Sequence, residues 1–125
     1  MMARDWIAAF AERAGIGSRE AAERSAAHIA YVLGGCLTWG EAHNLADRMP
    51  EPLASALREG SQGTTMARFS ARAFVARVAE RDGISLEEAR RQVVAFLEIL
   101  REELPSRQLE PLEEELASWQ GELPL

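Results

Sequence analysis

The sequence predicts an all-α fold of six to seven helices, built as two related three-helix units packed into one domain. Three observations carry this expectation: a composition dominated by helix formers, an internal repeat, and helix start and stop signals at matching places in both copies. Ala occurs 22 times and Leu 14 times, against five Val, five Ile and three Thr. Ala and Leu are the strongest helix formers, whereas sheets draw on β-branched residues. At 125 residues the chain is long enough for one hydrophobic core.

The repeat is visible by eye. Residues 6–16 read WIAAFAERAGI and residues 74–84 read FVARVAERDGI, an offset of 68. Gly17 is one extra residue in the first copy, and beyond it the offset is 67. Ser18 then falls on Ser85, Glu20 on Glu87, Ala22 on Ala89, Arg24 on Arg91, Leu33 on Leu100 and Leu37 on Leu104. Self-similarity sustained over so many positions with a single gap marks a duplicated helical unit. The copies span 4–59 and 70–119, with a Gly/Ser/Thr-rich linker at 60–69.

The first helix of each copy is expected over 4–14 and 71–82. Ser70 is the N-cap of the second of these, and Gly15 and Gly83 close the pair. The second helices start at Ser18 and Ser85. Ser85 with Glu88 reads as a capping box, and Ile84 can staple onto Ala89. Their apolar stripes are Ala22, Ala26, Ile29, Ala30, Leu33, Leu37 and Ala89, Val93, Phe96, Leu97, Leu100, Leu104. Both follow the helical period. The first copy's stripe is the smaller in volume, so Phe10, Tyr31 and the tryptophans are expected to fill the difference. The third helix starts at Thr38, where Thr38 and Glu41 form another capping box, and stops before Pro50. Its second-copy partner is expected from Ser106 to about Trp119, kinked or delayed by Pro111. An additional short helix is expected over about 51–59.

Taken in order, several stretches resemble the bacterial domain of unknown function 2267 family. They are Phe10-Ala-Glu-Arg13, the Leu33 to Leu37-Thr38 helix end, Leu45 with Met49-Pro50, the Gly60 linker and Phe74-Val-Ala-Arg-Val-Ala-Glu-Arg81. The likeness covers roughly 4–119. Met49-Pro50 stands where the family carries Leu-Pro, and the linker glycine lacks a neighbouring aromatic residue. The resemblance implies a duplicated all-helical fold and no assigned activity.

Charge and composition exclude several functions. All 14 basic residues are Arg, so Schiff-base chemistry and a Walker-type phosphate lysine are ruled out. The net charge is −6, distributed as −2 over 1–60, +1 over 61–100 and −5 over 101–125. Such a chain repels a polyanion unless its arginines gather on one face. Arg68, Arg72, Arg77, Arg81, Arg90 and Arg91 are the one basic concentration. Arg72 and Arg77 point roughly 140° apart on a helix and flank the apolar stripe as snorkelling residues. A single cysteine, Cys36, forms no internal disulfide and fits a reducing cytoplasm. The start of the chain has no apolar run of signal length, and no segment is long and apolar enough to cross a membrane.

The remaining chemistry-bearing residues each have a structural alternative. His43 and Asp47 share a helix face four residues apart and are the candidate metal ligands, with Cys36 or His28 as the only further strong donors. A metal site needs three or four convergent ligands, so a local His–Asp pair on a solvated face is the competing reading. His28 lies beside the apolar stripe and reads as a packing histidine, without a nucleophile next to it in sequence. Cys36 stands near a helix C-terminus, which does not activate a thiol, and reads as a small buried residue. Gly34-Gly35 is either a hinge or partner surface, or the mark of a fraying helix end or a close helix neighbour. The acidic run Glu113–Glu115, followed by Trp119, Leu123 and Leu125, is a candidate interaction element.

The expectation is a small cytoplasmic interaction or scaffold protein without catalytic residues or a cofactor, with a protein partner or self-association. Two alternatives remain. One is a regulator that contacts DNA through Arg90 and Arg91, against which the net charge argues. The other is a metal- or small-ligand-binding helical protein built on His43 and Asp47.

Overall fold

The computed structural model describes residues 5–62 and 70–104, which form six helices and, among the described residues, no strand. The expected helix over 106–119, the linker beyond Gln62 and the C-terminal tail lie outside the described residues.

Helix α1 (Trp6–Ala14) starts where the Asp5 carboxylate accepts a 3.1 Å hydrogen bond from the Ala8 amide. Asp directly before an apolar Trp-Ile pair is a cap signal that the sequence reading missed. Gly15, at φ 73°, closes the helix, and its amide returns to the carbonyls of Ala11 and Glu12. Helix α5 (Ala71–Asp82) is built alike: Ser70 caps the Ala73 amide, and Gly83 closes at φ 69°. An L-residue at either glycine costs roughly 1–2 kcal/mol.

The two long helices, α2 (Arg19–Gly34) and α6 (Leu86–Glu103), start at Ser18 and Ser85. At α6 only half of the expected box forms: Ser85 accepts from the Glu88 amide at 3.1 Å, without the reciprocal bond. The complete box is at α3 (Trp39–Ala46), where Thr38 and Glu41 exchange bonds of 2.9 and 3.1 Å. Helix α4 (Leu53–Gly60) starts later than expected because Pro52 is its N-cap and offers no side-chain acceptor. Glu51 substitutes, accepting from the Ser55 amide at 3.0 Å.

Every residue of both predicted apolar stripes is buried. Phe96 of α6 is fully buried, and Trp6 and Phe10 of α1 meet it edge-on with ring centroids 5.3 and 6.2 Å away. Trp6 and Phe10 thus supply the aromatic volume expected of the first copy. Tyr31 is only half-buried and Trp39 is exposed, so neither does. Helix α1 packs on both α2 and α6, and α5 also packs on both α6 and α2. The long helices touch each other as well, while α3 leans on α4.

The α2–α4 crossing explains Gly34. A Cβ there would run into the carbonyl oxygen of Leu57, and one at Gly60 into that of Tyr31. The two helices therefore meet backbone to backbone, and Gly34 is the mark of a close neighbour. Its companion Gly35 ends the helix with right-handed dihedrals.

Candidate functional site

His28, Ser25 and Asp82 come together although α2 and α5 are far apart in sequence. Asp82 has a side chain only 7 % exposed. One of its oxygens accepts from Ser25 Oγ at 2.9 Å and the other from His28 Nδ1 at 2.6 Å. A carboxylate only accepts, so the imidazole proton sits on Nδ1. The geometry resembles a catalytic set by composition but differs in wiring. Ser25 donates its hydrogen bond to Asp82 and not to the histidine, so the imidazole does not stand as the base for its hydroxyl. The cluster fastens α5 to α2, and its partnership was hidden from sequence reading by the separation of its members.

His43 and Asp47 do not converge. His43 Nδ1 donates to the Trp39 carbonyl at 2.9 Å, and its ring stacks on the Trp39 indole at 3.8 Å. Asp47 instead accepts from Arg58 at 2.9 Å, joining α3 to α4. Cys36 is buried with its Sγ 3.7 Å from the Val32 carbonyl. Among the described residues no three His, Cys, Asp or Glu side chains are grouped to hold a metal ion. Nor is any helix there long and apolar enough to cross a membrane.

Arg90 and Arg91 are exposed on α6, where they line an open groove of about 370 Å³ with Arg13, Glu87 and Glu98. Glutamates interleave with the arginines, so the face is of mixed sign. Arg13 forms two bonds of 2.7 and 3.0 Å to the Glu102 carboxylate. That contact leads the causes that hold its guanidinium above its ordinary pKa. Arg68, Trp119, Leu123 and Leu125 lie outside the described residues.

A second groove of about 370 Å³ opens between α2, α4 and α5. The Arg81 guanidinium lies 3.7 Å above the Tyr31 ring at its edge. Sequence reading missed this pairing, which had no signal beyond an arginine near a helix end. Among the described residues, the most exposed large apolar side chains are Trp39 and Leu86, each 61 % exposed.

These features define a small helical protein whose polar clusters chiefly tie helix to helix. The chain belongs to the DUF2267 family, described as an uncharacterized conserved protein, whose family model matches residues 3–121. No curated protein and no solved structure matches the chain.

Proposed function

We propose that the protein is a non-catalytic cytoplasmic interaction protein that self-associates through the start of α3. The observation that carries this is Trp39. Its indole is 61 % exposed yet held in place by the His43 ring stacked on it. Large aromatic side chains, preorganised and exposed, are the typical anchors of protein contacts. A twofold contact sets a patch against its own copy, and a flat ring stack is complementary to itself. The helix is further fixed by its capping box and by the Asp47–Arg58 pair.

Sedimentation velocity over a concentration series tests the reading. A concentration-dependent dimer is expected, and Trp39→Ala returns it to monomer with unchanged helix content. A chain that stays monomeric throughout, or a dimer indifferent to Trp39→Ala, overturns it. The mixed charge around Arg90 and Arg91 disfavours the DNA-contacting alternative, and the separate engagements of His43 and Asp47 disfavour the metal alternative.

The same reading treats the bundle as two related units about a pseudo-twofold axis. The helix neighbours support it: α1 rests on α2 and α6 as α5 rests on α6 and α2. The correspondence also accounts for an oddity. Gln92 is 3 % exposed and its Oε1 has no partner among the described residues. Its counterpart is Ser25, which bonds Asp82, but the counterpart of Asp82 is Ala14, which has nothing to offer.

A further inference from the structure

Arg13 and Arg81 each stand two residues before the glycine that closes their helix. Arg13 reaches from α1 to α6, where it clamps Glu102 and lies 3.8 Å from Glu98. Arg81 reaches from α5 to α2. At the offset of 67, Glu98 corresponds to Tyr31 and Glu102 to Gly35. Arg81 therefore lies over an aromatic ring and, where its counterpart meets a carboxylate, finds a glycine. Gly35, Gly60, Arg77 and Glu80 line the groove around that position.

We propose that this groove binds the carboxylate group of a small organic acid, in the position that Glu102 occupies for Arg13. Arg81 is exposed and lies over the Tyr31 ring, and a guanidinium that meets a ring with its flat face keeps its N–H donors in its plane, at the edge. Among the described residues Arg81 meets no carboxylate. The groove falls in the size range of small-ligand sites, and Tyr31 and Val32 give it an apolar wall for the body of the acid. Glu80 and the C-terminal ends of α2 and α4 add negative charge, which Arg77 and Arg81 oppose.

The proposal rests on the correspondence of the two units and is independent of Trp39. It is tested by following the backbone amides of the full chain by NMR during titration with sodium benzoate at constant ionic strength. Saturable shifts centred on Gly35 and Gly60 are expected. Arg81→Gln weakens binding at least about tenfold, as loss of a charge-assisted bidentate contact should. Gly35→Glu supplies the missing carboxylate from the chain itself. A Cβ at Gly35 lies 3.3 Å from the Val32 carbonyl, so the end of α2 must give by a few tenths of an ångström to admit the side chain. This variant is expected to lose benzoate binding and to melt at a higher temperature. Absence of saturation, indifference to Arg81→Gln, or equally tight binding of inorganic phosphate overturns the carboxylate site. A Gly35→Glu chain that melts higher while benzoate fails to saturate leaves the correspondence standing and removes the ligand. Failure of both removes both.

Discussion

At the scale of single residues, glycines divide sharply by what surrounds them. Gly34 faces the Leu57 carbonyl across the α2–α4 crossing, whereas a Cβ at Gly40 in α3 meets nothing within 4 Å. Replacing a helical Gly by Ala gains about 1 kcal/mol where there is room. Forcing a methyl group against backbone costs about 1–3 kcal/mol, and here neither side can yield without moving a helix. Gly40→Ala is therefore expected to raise the melting temperature and Gly34→Ala to lower it, read in thermal denaturation of the two variants side by side. Asp82 is the other sensitive residue. Asp82→Ala removes the acceptor of two hydrogen bonds and leaves buried Ser25 with an unmet hydroxyl. A loss of about 2–3 kcal/mol is expected in urea denaturation. Gln92→Leu, which deletes an acceptor without a partner among the described residues, should be neutral or stabilising by the same measurement.

At the scale of elements, local signals and long-range contacts were not equally legible. Caps at Ser18, Thr38, Ser70 and Ser85 were readable because a cap is written within four residues. Both apolar stripes were readable because burial imposes the helical period. The Ser25–Asp82–His28 cluster and the Arg81–Tyr31 stack were not, because each depends on α5 docking against α2. The reason for Gly34 was offered by the sequence only as one of several possibilities, since nothing in it says that α4 crosses there. Asp5 shows how an element responds to pH. Its carboxyl is held below the ordinary carboxylate range, first by the hydrogen bond from Arg19 and then by the Ala8 amide. A depressed folded-state value means stability that is present at neutral pH and lost as pH falls through that value. Asp5→Asn keeps an N-cap acceptor but cannot ionise. The variant should melt lower than the parent at pH 7, and the two melting temperatures should converge as pH falls below about 4. Curves that stay parallel would show that the Asp5 charge contributes nothing to folding.

At the scale of the whole molecule, the two halves are interlocked instead of placed side by side. The aromatic residues of α1 close on Phe96 of α6, and Arg13 bonds Glu102, both in the second half. In return, Asp82 of α5 is held by Ser25 and His28 of α2, in the first half. Among the described residues, the buried rings of Trp6, Phe10 and Phe96 meet across the boundary between the halves. A fragment of about 60 residues is already marginal as an independent domain, and here it would also expose the aromatic surface made for its partner. The intact chain is therefore expected to unfold in one cooperative transition, with calorimetric and van't Hoff enthalpies in agreement. Fragments 1–62 and 63–125 should each lack stable helix by circular dichroism and recover it on mixing. The mixture should then lose that helix again when Phe96→Ala is introduced, since truncating a core phenylalanine costs about 3–5 kcal/mol. A first fragment that folds alone to full helicity would mean that α2 and α4, joined at Gly34 and Gly60, form a sufficient core by themselves. The contacts between the halves would then be docking between finished units, and the loss of stability in Phe96→Ala would be confined to the second unit.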